Sequence, residues 1–471
     1  MPAYDFTRRT GRTTDPDVVV VGAGVAGLAA ARALAERGLD VRVLEATERA
    51  GGRMATRELD GFRLDHGAHL LNTAYPEPAR RLDLDRLELR PLAPGVLVHS
   101  GGRRQRYGDP QQTPARQAAI RQPTARQAGR TAGGGRQPAG RGGLGSPLDR
   151  ARLGSALARL AATPVPKLLA RPETTAARAL AERGLPTRTA DGFLRPLLTA
   201  LLADPALATS SRVADLVLRS YARGRLCLPA GGIGAVPAQL ADGLPEGTVR
   251  YGVEVTEVDC DGVRTAEDGR IRARAVVVAT DAPSAAALLP GLRLPAFHPV
   301  TTYYHAADSS PLGEPVLLLD ADRPGDHPGG GPHGGRSGVS HSLVLSEVDP
   351  SYAPPGQALI ATTVLGRHTF DAGGPSGDEP VVRRRLAELY GTSTAGWEFL
   401  AVRHVQDAVP AMPPPHHFRR SVRLLAGLYV CGDHRDTSTV QGALVSGRRA
   451  AEAVLRDLGL PATDRAADVA A

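Results

Sequence analysis

Residues 17–46 read DVVVVGAGVAGLAAARALAERGLDVRVLEA, and this stretch decides the fold. Val18 to Val21 form a β-branched run suited to a parallel strand buried on both faces. Gly22, Gly24 and Gly27 follow directly as G-x-G-x-x-G. The alanine-rich sequence from Val25 to Arg37 predicts a helix, with Gly38 as its stop. A second strand, 41–44, ends in Glu45. Each residue type has a mechanical task. Gly22 permits the tight turn, Gly24 lets a pyrophosphate approach the backbone, and Gly27 lets helix pack closely on strand. The helix start offers N–H groups and a positive dipole end to phosphates. Glu45 stands where it can accept hydrogen bonds from both ribose hydroxyls, which favours FAD or NAD over NADP. A ligand-free glycine turn is the bland alternative, and the full succession of strand, glycines, helix, strand and acid weighs against it. A secretory leader built on Arg8 and Arg9 is set aside, because Asp15 and Asp17 interrupt the approach to the apolar run.

Outward from this loop, 471 residues are long for one hydrophobic core and suit two or three interleaved domains. Apolar residues at 42% and charged residues at 23% mark a globular chain. The apolar stretches near the N-terminus fall short of the roughly 20 residues that a membrane span needs. Cys227, Cys260 and Cys431 are far apart and form no CxxC pair, which argues against a disulfide framework or a metal site and suits a reducing cytoplasm. A net charge of +8 points at first to nucleic acid or an anionic membrane. Yet residues 101–152 hold eleven arginines against only Asp109 and Asp149, leaving 46 basic and 47 acidic side chains elsewhere. The basic character belongs to one segment, and Tyr107 is the single aromatic residue among its arginines, too few for base stacking. No nucleic-acid partner is expected. Between Arg103 and Gly145 the large aliphatic side chains are Ile120 and Leu144 alone. Three readings of 103–145 stay open: a solvated low-complexity insertion, an arginine-rich arm, or a slip of reading frame in the gene.

Beyond the loop the chain reads ERAGGRMATR at 48–57 and GFRLDHGAH at 61–69. Here the sequence resembles the flavin-containing amine oxidoreductase superfamily, which includes monoamine and polyamine oxidases, protoporphyrinogen oxidases and phytoene desaturases. Further segments resemble the same family. They are LPAGGIGAVPAQLA at 228–241, RYGVEVTEV at 250–258, RARAVVVATDAP at 272–283 and LYVCGDHRDTSTVQGALVSGRRAAEAVL at 428–455. The resemblance implies FAD as cofactor. It implies Gly52 and Arg53 at the phosphates or adenosine ribose, and the backbone of Val255, in one strand over 250–258, beside adenine. It implies Gly432 and Asp433 near the ribityl chain. A helix opening at Gln441, Gly442 and Ala443 would lie beneath the isoalloxazine ring, where its dipole favours the anionic reduced flavin.

The fold class expected is α/β. A doubly wound Rossmann-type FAD-binding domain is assembled from segments 17–75, 225–285 and 420–458. An α+β substrate domain interleaves with it, mostly helical over 76–224 and a sheet over 286–419. Residues 1–16 and 459–471 are expected to be disordered or flexible ends. Family amine oxidases carry a lysine near the flavin, on a strand expected near 297–306. The single lysine here is Lys167, and 434–446 lack the aromatic pair that flanks the flavin. The wording of 428–455 is closer to protoporphyrinogen oxidases and phytoene desaturases. The resemblance thus implies an oxidase or desaturase that passes hydride from a hydrophobic small molecule to flavin N5. Without a second strand–GxGxxG–helix unit for a nicotinamide, the electron acceptor would be oxygen or a quinone. No catalytic base is singled out. Amine oxidation, a non-redox flavin mutase or cyclase, and a prenyl-protein escort-like binding role are the alternatives. The leucine-rich stretches 153–169 and 193–218 read either as core helices or as a peripheral contact with the inner face of a membrane.

Several histidines and cysteines are set aside. His327, His333 and His341 read as a flexible Gly/Pro-rich loop, not metal ligands. His66 and His69 belong to the D-x-G-A turn, with His69 expected to face the flavin. A covalent flavin link through Cys431 or His434 has little support. His416, His417, Arg419 and Arg420 read as a solvated turn before the last strand.

Overall fold

The computed structural model describes residues 15–67, 70–108, 147–322, 338–366 and 377–461. The chain divides into two compact units. The first holds the described residues through Gly52, Pro237–Leu294 and those from Phe418; the second holds Arg53–Val236 and Pro295–His417. The first unit is therefore narrower than the three segments expected for it. Residues 53–75 and 225–236 belong to the second, for a reason given below.

The first unit is built on a six-stranded sheet, in the order Val249–Tyr251, Val41–Glu45, Val18–Val21, Ala275–Val278, Leu428–Val430 and Arg423–Leu425. All neighbours are parallel except the last pair. Val18–Val21 lies between two parallel neighbours and is buried along its whole length, as an uninterrupted valine run demands. The helix Val25–Ala35 follows the glycine loop, and Gly38 at φ +78° ends it. A second helix, Val440–Asp457, lies against it. A Cβ on Gly447 would sit 2.2 Å from the carbonyl oxygen of Ala26, so only glycine allows the two helices this approach.

The stretch 250–258, expected as one strand, is two. Val249–Tyr251 joins the parallel sheet beside Val41–Glu45, whereas Val255–Asp259 opens a separate three-stranded antiparallel sheet. Gly252 turns the chain between them at φ +70°, and the Val253 N–H donates to the Glu45 carbonyl at 2.9 Å.

The second unit centres on a seven-stranded sheet. Its order is Glu398–Pro410, Phe297–Ala307, Ala358–Leu365, Val339–Val344, Leu318–Asp320, Val96–Ser100 and Arg103–Tyr107. One face is covered by the helix Glu379–Tyr390, whose Val382, Leu386, Leu389 and Tyr390 form a core with Ile360, Val364 and Trp397. Beneath that helix Arg385 donates to Asp320 at 2.6 Å and to Asp322 at 2.8 Å. His99 joins this group, and the guanidinium supplies the charge that its carboxylates need.

Three sequence expectations change here. Arg103–Tyr107, assigned to the low-complexity stretch, is an edge strand paired with Val96–Ser100 through Gly101 and Gly102, both at positive φ. The Tyr107 ring packs on Phe193 at 5.5 Å between centroids. The rest of that stretch, 109–145, lies outside the described residues, as do His69, His327, His333 and the ends 1–14 and 462–471. His341 sits buried in the strand Val339–Val344, not in a loop, because it pairs with Thr363 and Leu319 on either side. His416 is likewise buried, with its N–H donating to Glu173 at 3.0 Å. Of the leucine-rich stretches, 193–218 packs inward through Phe193, Leu194, Leu197, Leu198 and Leu218. The helix Pro147–Ala162 buries only Leu153 and Leu160 among its leucines and exposes Leu148. Among the described residues no helix is long and apolar enough to cross a membrane.

Candidate functional site

The glycine loop sets the first half of the site. Gly22 has φ +101°, and its N–H donates to the Leu44 carbonyl at 2.7 Å, tying the turn to the end of the second strand. Gly24 caps the helix Val25–Ala35 without a side-chain hydrogen bond, and the first turn carries no acid. The helix thus presents bare N–H groups and its positive end. A Cβ at Gly24 would meet nothing within 4 Å, so glycine here keeps open the space beside those N–H groups. Gly27 differs: its Cβ would lie 2.1 Å from the Gly22 carbonyl oxygen.

Glu45 is buried, and its two oxygens are largely committed. One accepts from the Ala23 N–H at 2.7 Å. The other accepts from the Thr47 N–H at 3.0 Å and the Thr47 hydroxyl at 2.7 Å. A carboxylate has about four acceptor positions. One is left for a ribose hydroxyl, fewer than the pair expected. Gly51 donates its N–H to the Ala23 carbonyl at 3.0 Å, placing the GGR segment against the loop. Gly52 follows at φ +55°, and Arg53, in the second unit, donates to the Ala408 carbonyl at 2.7 Å.

The C-terminal segment sets the second part. Gly432 has φ +143° and donates its N–H to the Ser446 hydroxyl at 2.9 Å. Asp433, His434 and Arg435 form one buried 3-10 turn. Thr439 caps the helix Val440–Asp457 by accepting from the Gly442 N–H at 3.0 Å. A Cβ on Gly442 would fall 2.0 Å from the Thr437 carbonyl oxygen, and Gln441 is buried beside it. Ala443 donates its N–H to the Thr439 carbonyl at 2.9 Å. Val255 lies on the antiparallel sheet, opposite Thr265. Burial pushes the Cys431 thiol up to about 12, which keeps it protonated and unreactive.

Burial also pushes the Asp436 carboxyl up to about 6, against the pull of the Thr437 N–H and of Arg449. The folded value exceeds the ordinary 3.8, so stability falls as pH rises between the two. Asp436→Asn keeps an acceptor for Thr437 and removes that dependence. It is expected to gain about 1–3 kcal/mol at neutral pH. Urea unfolding at pH 4 and pH 7 checks this, the gain being confined to pH 7.

In the second unit two glycine-rich motifs interlock. The Asp65 carboxylate accepts from the Thr56 hydroxyl at 2.5 Å, the Tyr352 hydroxyl at 2.6 Å and the Ile233 N–H at 3.2 Å. Thr56 in turn accepts from the Gly234 N–H at 2.9 Å. A Cβ on Gly232 would strike Thr56 at 2.7 Å. Leu71 and Asn72 pair with Cys227 and Leu226 in a short sheet. Residues 53–75 and 225–236 therefore hold one another, and this contact draws both into the second unit. Sequence reasoning missed Thr56, Tyr352, Gly447 and Thr439. Of these, the S/T-x-x-G spacing at Thr439 and the small residues at Ala443, Gly447 and Ala451 were the readable signals.

Above this junction the face of the large sheet opposite the helix Glu379–Tyr390 walls a cavity of about 30 Å³. Tyr304, Ala361 and Leu343 form one cross-strand row of it, and Thr363 and His341 the next. Leu70, Leu228, Leu317 and Leu345 complete its apolar lining. Burial lowers His341 to about 4, so its imidazole is neutral at physiological pH.

Glycine loop, terminal acid and capped second helix define a dinucleotide-binding α/β fold, accompanied by a sheet-based second unit. The family profile of flavin containing amine oxidoreductases matches residues 25–455, and the chain belongs to that family. FAD is accordingly its cofactor, and the open cradle at Gly24 with its bare helix start fits the pyrophosphate of such a group. A carotenoid 3,4-desaturase of Haloarcula japonica is 43% identical over 82 residues, 15% of this chain and 17% of that protein. Protoporphyrinogen oxidase 2 of Arabidopsis thaliana is 48% identical over 66 residues, 14% and 13% of the two chains. The sequence matches thus span a small part of these relatives' length. An oxidoreductase from Methanosarcina mazei superposes with a TM-score of 0.66 at 17% identity, covering 91% of this chain and 98% of its own. At that identity the likeness is one of fold.

Proposed function

We propose that this chain is an FAD-dependent oxidase or desaturase acting on a C–H bond of a hydrophobic small molecule. The observation that carries the reading is the apolar sheet face at Tyr304, Leu343 and Ala361, closed by Leu345, in a chain of this family. When bound, FAD would accept hydride at N5 and pass its electrons to oxygen or a quinone. The remaining work falls to the protein. The bare helix start at Val25 and the Gly24 cradle would hold the pyrophosphate, the free Glu45 acceptor position a ribose hydroxyl. Gly52 and Arg53, the Val255 backbone, and Gly432 and Asp433 would contact the rest of the cofactor. Gln441, Gly442 and Ala443 would set the dipole of the last helix toward the ring. The sheet face would exclude water and orient the substrate, with neutral His341 adding a hydrogen-bonding group but no charge.

An amine substrate is disfavoured by the strand Phe297–Ala307. It carries Thr301, Thr302, Tyr303, Tyr304 and His305 where the family's lysine was expected, while Lys167 is exposed on the helix Val165–Leu169. The test is anaerobic: protein purified with FAD is mixed with carotenoids, porphyrinogens and amines, and flavin absorbance is followed. Bleaching by the hydrophobic compounds supports the reading. Bleaching by amines alone reverses the substrate assignment, and a preparation that stays colourless with FAD supplied sinks it. Ala361→Trp fills the cavity and is expected to slow bleaching at least about tenfold at unchanged FAD content, about 1.4 kcal/mol in the barrier.

A further inference from the structure

A second pocket of about 100 Å³ lies wholly within the second unit, on the opposite side of Tyr304 from the apolar cavity's lining rows. Two guanidinium groups frame it. Arg57 stands on the strand Thr56–Leu59 directly opposite Leu64, and Arg403 stands on Glu398–Pro410 opposite Thr302. Among the described residues neither side chain has a hydrogen-bond or ion-pair partner, and the Nε of Arg403 is buried without one. The pocket's carboxylate, Asp65, is no counter-ion for them. Its oxygens accept from Thr56, Tyr352 and the Ile233 N–H. The Tyr304 hydroxyl is also committed, donating to the Asp65 carbonyl at 2.5 Å. Burial and the like charge of Arg57 both lower the pKa of Arg403, as expected of two cations held together without an anion.

Polar groups taken out of water are normally paired, and the buried, unpartnered Nε of Arg403 beside a second, exposed guanidinium at an open pocket is unusual. The Nε–H and a neighbouring Nη–H of arginine form parallel donors that match the two oxygens of a planar carboxylate. The walls at Leu64 and Ala401 are apolar. They suit the singly charged, flat end of an organic acid better than a strongly hydrated phosphate.

We propose that the Arg57–Arg403 pocket is a binding subsite for the carboxylate of a small organic molecule. The subsite stands on the pocket alone and does not depend on the redox reading. The test uses the FAD-loaded full chain titrated with benzoate in a calorimeter, with benzamide as the uncharged shape control and inorganic phosphate as the competing oxyanion. Saturable benzoate binding is expected, weakened at least about tenfold in Arg57→Gln and in Arg403→Lys, with benzamide and phosphate failing to compete. Arg57 is exposed, so its variant folds irrespective of the fate of the other. Lysine at 403 keeps the charge and removes the paired donors, so a loss there reports geometry. Absence of saturable binding, binding unchanged in both variants, or displacement of benzoate by phosphate would overturn the proposal. A chain that remains colourless yet binds benzoate through both arginines would remove the redox reading and leave this one intact.

Discussion

The Gly27→Ala chain will purify without FAD and melt well below the native protein. A Cβ at this position falls 2.1 Å from the Gly22 carbonyl oxygen and 3.0 Å from the Ala279 Cβ. Neither neighbour is the end of a flexible side chain, so the helix Val25–Ala35 must lift from the sheet. Overpacking typically costs about 1–3 kcal/mol, and a clash with backbone belongs at the upper end. Lifting the helix also moves its bare N–H groups away from the phosphate position. Gly24→Ala is the informative partner. Its Cβ meets nothing within 4 Å, so the fold should hold its melting temperature while the added methyl intrudes on the cradle and FAD affinity drops. Flavin absorbance per chain and thermal melting separate the two effects. A Gly27→Ala protein with full FAD content and native melting would overturn the strand–turn–helix account of the loop.

The second large effect is expected at Asp65. Asp65→Ala strands the Thr56 hydroxyl, the Tyr352 hydroxyl and the Ile233 N–H in a buried setting. Each orphaned donor costs about 1–3 kcal/mol, so a loss above about 3 kcal/mol is expected in urea unfolding. Asp65→Asn keeps one acceptor oxygen and should lose less. Burial raises the Asp65 pKa despite its three donors. The sign follows: the group's contribution falls as pH rises from the ordinary 3.8 through the raised value, and Asp65→Asn removes that slope. A variant series without this ordering would mean that the two glycine motifs are held together by something other than the Asp65 junction.

The valine run, the glycine spacing and Glu45 were legible because local sequence determines them: a doubly buried strand needs continuous apolar residues, and the turn needs residues without a Cβ. The break at Gly252 was harder to see. Glycine in a strand-like stretch signals a bulge as readily as a turn, and what decides it is the pairing of Tyr251 with Glu45, about two hundred residues away in the chain. His341 looked like loop because Gly/Pro-rich sequence precedes it, yet its strand is specified by neighbours at Thr363 and Leu319. Arg103–Tyr107 shares the composition of the arginine-rich stretch and is rescued by a hairpin to Val96–Ser100. The glycines at 231–234 read as part of the FAD-binding segment 225–285, since spacing alone cannot show that Thr56 and Asp65 are what they touch. Arg57 and Arg403 gave no signal at all, because a missing counter-ion is a property of three dimensions.

The strand order of the first sheet has a further consequence, in time. Val18–Val21 is the first strand of this sheet to be made, but one of its two neighbours is Ala275–Val278, and the sheet then continues to Leu428–Val430. At about 5–20 residues per second the strand waits roughly 13–50 s for the first and 20–80 s for the second. Its four valines stay uncovered on one edge meanwhile, the condition under which nascent chains aggregate or recruit chaperones. The cradle beside Gly24 is made about 400 residues before the capped helix at Val440. Cofactor loading should therefore wait until Val440–Asp457 has been made, and cellular yield should respond to translation speed and chaperone supply before it responds to FAD.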